Sequence, residues 1–201
     1  MEKAIEVLMS EHRLIEQALG SLESYAAQVR EGFSPGRKEI GEYAAFFRGF
    51  ADTCHHGKEE DILFQRMIAR GFPRDVGPLA VMFHEHELGR AHVRELSALA
   101  SGEDVLSPRE TTELLHNASG YVSLLRAHIL KEDSILYPLA LRMLTGPELD
   151  AMNTQFEAFE AQLRAEGLID RLSALAERLT TRFPPNPAAM ADAVPLHACG
   201  R

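Results

Sequence analysis

Residues 55–64 read HHGKEEDILF, and residues 128–137 read HILKEDSILY. The two stretches share a His, a Lys three residues later, a Glu four residues later and an Ile-Leu-aromatic ending. Side chains at positions i and i+4 of a helix lie on one face, about 5 to 6 Å apart. Each copy of this repeat, HxxKExxIL[F/Y], therefore presents an imidazole and a carboxylate in the same direction, which is a geometry that suits metal ligation.

The composition predicts an all-α protein. A chain of 201 residues can form one sizeable domain, or one domain with an appendage. Its hydrophobic content of 45% and charged content of 25% are those of an ordinary globular protein. The long stretches of mixed charged and apolar residues contain few clusters of β-branched residues, which favours helices over strands.

Charge and cysteine content restrict the partners. A net charge of −9 argues against binding to nucleic acid or to an anionic membrane, because both require Lys and Arg to neutralise phosphates. Cys54 and Cys199 are the only cysteines and provide no disulfide framework. No apolar stretch reaches the eighteen or so residues of a membrane span. We therefore expect a cytoplasmic protein that binds a small molecule, an ion or another protein.

Four segments carry apolar residues in steps of three and four, which is typical of helices that pack together. They are expected at about 2–31, 35–71 and 78–101, and from Pro108 onward after a capping box formed by Ser107 and Glu110. Short connections between long helices predict an antiparallel up-down-up-down four-helix bundle over residues 1–145.

A second capping box, Thr145 with Glu148, predicts an additional C-terminal helix over residues 146–182, with a break near Gly167. This extension could serve as a surface for a protein partner or for a homo-oligomer. Residues 183–201 begin with a Pro-rich run and show no periodicity, so we expect them to form a flexible tail.

Helical phase selects the inward-facing histidines. His12 and His86 lie on the apolar faces of the first and third helices, whereas His84 is turned about 200° away from His86. In the second helix, spacing alone does not separate His55 with Glu59 from His56 with Glu60. Superposition on the second copy of the repeat favours the first pair.

In the fourth helix, Asp133 could replace Glu132, but it lies about 100° further round the helix. The predicted metal ligands are therefore His12, His55, Glu59, His86, His128 and Glu132.

These six side chains would be costly to bury without partners, at roughly 1 to 3 kcal/mol each. Metal coordination satisfies them together. A mixed set of imidazoles and carboxylates suits non-haem iron, with manganese or zinc as alternatives, and two ions bridged by Glu59 and Glu132 match the number of ligands. A ferritin-like site would need a Glu-x-x-His motif on each of two helices, and only Glu113 with His116 fits, away from the apolar face.

The sequence resembles the hemerythrin-like family, also called HHE cation-binding domains, over about residues 4–145. The resemblance rests on the pairs Glu11-His12 and Glu85-His86 together with the two HxxxE segments. It implies a four-helix bundle with two iron ions joined by an oxo or hydroxo bridge. Such a centre handles dioxygen, nitric oxide or peroxide, or senses or supplies iron.

Two positions differ from the oxygen-carrying members of that family. Position 90 is Arg where those proteins have a second His on the third helix, and they use an Asp five residues after the His of the fourth helix. The pattern of four His and two Glu is more similar to bacterial proteins of iron-sulfur repair, which carry an additional N-terminal cysteine-containing domain that is absent from this sequence. It is also similar to the iron-sensing hemerythrin domain of an F-box protein.

The leading hypothesis is a di-iron protein that binds or senses a small diatomic molecule or peroxide in a stress response. One alternative is an oxidoreductase that consumes peroxide or nitric oxide, in which Tyr121 could donate a hydrogen bond at the iron. Another is an iron donor for the repair of iron-sulfur centres.

Overall fold

Helix α1, Lys3–Arg30, forms because its apolar side chains recur on one face that turns toward the other helices. It ends before Gly32, whose φ of +101° lies in the left-handed region that glycine adopts without strain. These features come from a computed structural model that describes residues 3–102 and 105–187.

Helix α2 spans residues 37–69 and changes its hydrogen bonding along its length. Its segments are Arg37–Phe46 (α), Phe47–His56 (π), Glu59–Leu63 (π) and Phe64–Ala69 (α). In the π segments an N–H donates to the carbonyl five residues earlier, as Phe64 does to Glu59. The first copy of the repeat therefore lies in a locally widened helix.

Helices α3, Pro78–Ala100, and α4, residues 108–143, form the second half of the bundle. The predicted capping box is present at the start of α4, where Glu110 N–H donates to the hydroxyl of Ser107. The second copy of the repeat also contains a π segment, Glu132–Leu136, at the same place as in the first copy. In both copies of the repeat, the five residues that begin with the Glu are thus π-helical.

The four helices pack in the ring order α1, α2, α3, α4, with α4 returning to α1. Two further helices, α5 (Gly146–Ala165) and α6 (Leu168–Arg182), lie against the outer side of α1 and α2. The break between them is at Gly167, which has a φ of +65°. The expected all-α bundle with an additional helical C-terminal region is confirmed.

The core of the four-helix bundle consists of two large apolar clusters with a polar layer between them, and a small third cluster lies under the C-terminal helices. Along α1, for example, Ile5 and Leu8 belong to one cluster and Ile15 and Leu19 to the other. His12 lies between these pairs and is fully buried. The polar side chains of all four helices meet at this level, so that the bundle encloses them on both sides with apolar residues.

Two expectations for the rest of the chain can be compared with the structure. No helix among the described residues is long and apolar enough to span a membrane. The expected tail, 183–201, falls outside the described residues from position 188 onward. Its first residue, Phe183, is buried and packs edge-on against Tyr25, with ring centroids 4.9 Å apart. The boundaries of the predicted domains stay a prediction.

Candidate metal centre

Seven ionisable side chains form the polar layer, and all are at most 4% exposed. They come from all four bundle helices: His12, His55, His56, Glu59, His86, His128 and Glu132. The structure thus brings together all six residues that the sequence predicts as ligands, and it adds His56.

The ligand atoms form two groups. One contains His56, Glu59, His86 and His128, and the other contains His12, His55 and Glu132; within each group the atoms lie within 4.8 Å of one another. The Nε2 atoms of His86 and His128 are 3.0 Å apart, and so are those of His12 and His55. Two nitrogens bound at right angles to one ion at about 2.1 Å would also be separated by about 3.0 Å.

The two carboxylates lie between these groups. Glu132 approaches His128 Nε2 with Oε1, at 2.9 Å, and His12 Nε2 with Oε2, at 3.2 Å. Glu59 Oε2 lies 3.6 Å from His55 Nε2 and 3.5 Å from His86 Nε2. Each carboxylate therefore faces one imidazole of each group.

Three carboxylate oxygens in this layer lack an aligned hydrogen-bond donor among the described residues, namely Glu59 Oε2 and both oxygens of Glu132. Leaving such atoms unsatisfied in a buried site is costly. Metal ions would satisfy them, because carboxylate oxygens and imidazole nitrogens are the ligands that non-haem iron accepts. The residues present therefore fit a pair of metal ions.

The π-helical geometry explains how two consecutive histidines enter one site. His55 and His56 end the segment Phe47–His56, in which the Gly57 N–H donates to the carbonyl of Asp52. The wider turn alters the direction of neighbouring side chains relative to an α-helix, and such π segments are frequent at functional sites. The choice between His55 and His56, which spacing left open, is therefore not exclusive.

Four of the five imidazoles are oriented from behind by a carboxylate of the preceding helix in the ring, whereas Nδ1 of His56 has no hydrogen-bond partner among the described residues. Nδ1 of His55 lies 3.0 Å from Glu11, and Nδ1 of His128 lies 2.8 Å from Glu85. Support of this kind fixes the ring and directs the other nitrogen toward the metal.

The same support by a carboxylate of the preceding helix is found where the two halves of the bundle meet, from α2 to α3 and from α4 to α1. Nδ1 of His86 lies 2.6 Å from Glu60, and Nδ1 of His12 lies 2.7 Å from Asp133. Glu60 and Asp133 follow directly after Glu59 and Glu132, so one helical segment supplies both a carboxylate of the layer and the support of an imidazole on the next helix.

Cations hold the supporting carboxylates. Lys58 donates to Glu11, and Lys131 donates to Glu85, so the Lys shared by both copies of the repeat has the same task in each. Lys58 also donates to Glu160 of α5, at 2.7 Å. The repeat therefore supplies a His and a Glu of the polar layer together with the Lys that binds a supporting carboxylate.

The aromatic residue that ends the repeat also reaches the polar layer. Tyr137 stacks on His12 with ring centroids 5.5 Å apart, and Phe64 stacks on His86 at 6.0 Å. The hydroxyl of Tyr137 donates to Glu59 Oε1, at 2.9 Å, and lies 3.3 Å from His12 Nε2. The two halves thus differ by one buried hydroxyl.

Tyr121, which sequence reasoning considered as a donor, lies elsewhere. It packs edge-on against Phe47, with centroids 4.7 Å apart, and lines a cavity of about 270 Å³ that also touches His56. Arg90 lines this cavity as well and donates to Asp52 and Glu60. Sequence reasoning missed the donor role of Tyr137, although the aromatic position of the repeat was visible.

Charges set the protonation of the layer. Burial opposes protonation of His12, but the hydrogen bond that it donates to Asp133 and the nearby carboxylate of Glu132 outweigh burial and raise the pKa of His12 to about 10. At His55 burial and the charge of His12 hold the pKa well below its usual value, and at His56 burial and the charge of His86 do the same. Neutral imidazoles of this kind offer the lone pairs that metal binding requires.

The pKa values of the two buried carboxylates, Glu59 and Glu132, are shifted in opposite directions. Burial, followed by the charge of Glu132, raises the pKa of Glu59. Burial also acts on Glu132, but the charge of His128 and the close approach of the His12 and His86 imidazoles outweigh it and hold the pKa of Glu132 well below its usual value.

Apart from His56, the residues that sequence reasoning set aside lie outside the layer. His84 is exposed, and His116 of the ferritin-like alternative is exposed on α4. Asp133, the alternative to Glu132, supports His12 instead of facing the centre. Because position 90 is Arg, the third helix contributes only one inward imidazole, that of His86. His56 nevertheless brings the number of imidazoles in the group of His86 and His128 to three.

Comparisons with known proteins agree with this geometry. The curated relatives found include uncharacterised proteins of Mycobacterium bovis and of two strains of Mycobacterium tuberculosis, each 21% identical over 154 residues. The match covers 77% of this chain but only 60% of the relatives, so the chain spans less than two thirds of their length. No solved structure matches significantly. The family profile described as hemerythrin HHE cation binding domain matches residues 3–140, and the chain therefore belongs to that family.

Proposed function

We propose that this protein holds two non-haem iron ions and uses an open coordination position to bind or sense dioxygen, nitric oxide or peroxide. The observation that carries the proposal is the placement of Glu59 and Glu132 between two groups of inward-facing imidazoles. Carboxylates can span two ions, and bundles with inward carboxylates and histidines hold di-iron centres. Manganese and zinc are the alternative ions.

The division of ligands follows from the two groups. His56, His86 and His128 would hold one ion, His12 and His55 would hold the other, and both glutamates would bind both ions. The second ion has one imidazole fewer, so the open position is expected on the side of His12.

The residues around that position can handle a proton. The Tyr137 hydroxyl, 3.3 Å from His12 Nε2, donates to Glu59, so this side of the centre contains a buried donor and a carboxylate that can accept. Apolar clusters on both sides of the layer exclude water. Iron, when bound, supplies the reversible electron transfer that binding of dioxygen, nitric oxide or peroxide requires.

The proposal is tested by anaerobic loading with ferrous iron, followed by separate spectroscopic titrations with dioxygen, nitric oxide and peroxide. We expect about two iron ions per chain and a spectral change with at least one of these ligands. A change that reverses on removal of the ligand supports binding or sensing, whereas continued consumption of the ligand supports the oxidoreductase alternative.

A matched pair of variants makes the test specific. His128→Ala/Glu132→Ala removes an imidazole and a carboxylate from the layer, and Glu113→Ala/His116→Ala removes the same two groups from the outside of the same helix. Only the first variant should lose iron. Failure of the wild-type protein to take up iron, or equal loss in both variants, would contradict the proposal.

A further inference from the structure

The cavity of about 270 Å³ between α2 and α3 extends from the polar layer to the surface. Its inner wall includes His56, and the rings of Phe47 and Tyr121 form part of its sides. Two exposed arginines, Arg48 and Arg94, also line it, so the cavity opens to solvent beside them. Ligand sites usually have volumes from about 300 Å³ upward, and a molecule that binds here must therefore be small.

The internal repeat shows how the same place is filled in the other half of the bundle. Alignment of the halves on His55 with His128 and on His12 with His86 pairs three residues of the cavity wall with three others: His56 with Ile129, Asp52 with Leu125, and Gly89 with Ile15. All three counterparts are buried and belong to one apolar cluster. The chain thus has polar groups and a space where its own repeat has packed apolar side chains.

Gly89 keeps the space open on the side of α3. It is buried on the apolar face of that helix, and outside the helix a Cβ at this position would meet only Cε2 of Tyr121, at 3.5 Å, which is an ordinary contact. The backbone therefore has room for a side chain here. Because glycine in the interior of a helix is less stable than alanine, its presence lowers stability and leaves the cavity free.

Two polar groups in the wall have incomplete hydrogen bonding. No described residue forms a hydrogen bond with the hydroxyl of Tyr121, although this residue is only 2% exposed. Nδ1 of His56 also lacks a partner, because the Asp52 oxygen beside it is 3.5 Å away and accepts a hydrogen bond from Arg90 instead. Buried polar groups without partners are costly, so a ligand with hydrogen-bonding atoms would stabilise this wall.

The arginines at the opening have no acidic partners. Among the described residues, no carboxylate oxygen lies within 4.0 Å of the guanidinium of Arg48 or of Arg94. Arg48 instead donates to the hydroxyl of Ser97, at 3.1 Å, and Ser97 lies one helical turn after Arg94 on the same side of α3. Two cations therefore meet at the opening without a counter-charge, which attracts an anion.

The third arginine of the wall differs from these two. Arg90 is paired with three carboxylates, those of Asp52, Glu60 and Glu87. The exposed Glu87 therefore neutralises Arg90 and not the cations at the opening. Arg48 and Arg94 remain available to a ligand.

We propose that this cavity binds a small organic carboxylate, with its carboxylate at Arg48 and Arg94 and a second oxygen at the Tyr121 hydroxyl. Guanidinium groups bind carboxylates through pairs of parallel N–H donors. The rings of Phe47 and Tyr121 pack against the apolar body of the ligand, and an inorganic anion has no such body. The inference goes beyond the proposed metal chemistry and does not depend on it, because every contact is made by a protein side chain.

The test is isothermal titration calorimetry of the full chain with 4-hydroxybenzoate, both metal-free and after anaerobic loading with ferrous iron. We expect both forms to bind it, with a Kd of about 10 µM to 1 mM. 4-Hydroxybenzyl alcohol has the same ring without the charge, and inorganic phosphate has charge without a ring. Each should bind at least about 10-fold more weakly, and phosphate that binds as tightly as the acid would contradict an organic ligand.

Variants locate the binding site. Arg48→Gln/Arg94→Gln removes both cations at the opening and should lower the affinity about 10-fold or more. Arg109→Gln/Arg142→Gln removes the same charge from exposed positions of α4 and should bind as the wild type does. Gly89→Ile introduces the residue that the other half has at this place. Its side chain fills the cavity, so binding should be lost.

Three outcomes would overturn the proposal: no binding of 4-hydroxybenzoate to either form, equal affinities of the two double variants, or binding to the iron-loaded form alone, which would place the carboxylate on the metal. If circular dichroism shows that Gly89→Ile is unfolded, the arginine variants decide, since they change exposed side chains only. Binding to a chain that takes up no iron would support this site while contradicting the proposed function.

Discussion

Asp133 Oδ1 lies 2.7 Å from Nδ1 of His12, although the two residues are 121 positions apart and belong to opposite ends of the bundle sequence. The contact joins the fourth helix to the first and completes the ring of carboxylates that orient the imidazoles. Arg13 holds the other oxygen of Asp133 at 2.5 Å. Asp133, which helical phase excluded from the predicted ligands, thus fixes the direction of His12, which is one of them.

Asp133→Ala should weaken metal binding without removing a ligand. Loss of a carboxylate that supports a metal-binding histidine typically lowers affinity about 10- to 100-fold. Asp133→Asn, which keeps an acceptor but removes the charge, should fall in between. Competition with a chromophoric chelator measures the affinity, and Asp61→Ala, which removes an exposed acid from α2, is the control. Equal affinities for Asp133→Ala and Asp61→Ala would show that the support is dispensable.

His56→Ala tests the ligand that the sequence did not select. Since His56 belongs to the group with His86 and His128, its loss should lower the affinity of that group for metal and alter the visible spectrum of the iron-loaded protein. The exposed His84 provides a matched control on α3. An unchanged iron content and spectrum in His56→Ala would mean that it only packs against His86, with which it stacks at 3.7 Å.

The fold and six of the seven inward residues follow from sequence because helical phase is a local property. His12 and His86 lie on apolar faces whose period is read directly from the chain, and superposing the repeat selects His55 and Glu59. His56 does not follow from this reasoning, since α-helical spacing turns it about 100° from His55. It enters the layer because the helix is π-helical there, and the sequence gives no rule for that widening.

The supporting network also lies beyond sequence reasoning, for a different reason. The repeated Lys58 and Lys131 were visible as part of the repeat, but their partners Glu11 and Glu85 lie on other helices. Pairing them requires the ring order and the vertical register of the bundle. Both are properties of the packed helices, and no local pattern contains them.

Tyr137→Phe should destabilise the metal-free protein. The substitution leaves Glu59 Oε1 without its donor in a buried site, which typically costs about 1 to 3 kcal/mol. Tyr25→Phe is the control, because Tyr25 is equally buried but its hydroxyl lies 3.5 Å from the carbonyl of Gly36, a weak contact. Urea unfolding of the metal-free proteins compares the two free energies. If both variants lose the same stability, the hydroxyl of Tyr137 has no special role.

Lys58→Met and Lys131→Met should differ in the stability they lose, although each removes the same Lys of the repeat. Lys58 is fully buried and donates to both Glu11 and Glu160, so its removal leaves two carboxylates without their cation, and we expect a loss of about 3 to 5 kcal/mol. Lys131 is 35% exposed and donates to Glu85 alone, where water can replace it. Its loss should cost about 1 kcal/mol or less.

Urea unfolding of the metal-free proteins, at a concentration where each is monomeric, measures this difference. Adding Glu160→Gln to Lys58→Met should recover part of the lost stability, because it removes one of the two charges that Lys58 no longer neutralises. If the two lysine variants lost the same free energy of unfolding, the prediction would be refuted. The contribution of each Lys would then depend on the repeat alone. The asymmetry instead follows from α5, which covers only the first copy: the same Lys, at the same place in the same ten-residue pattern, contributes according to what packs outside it.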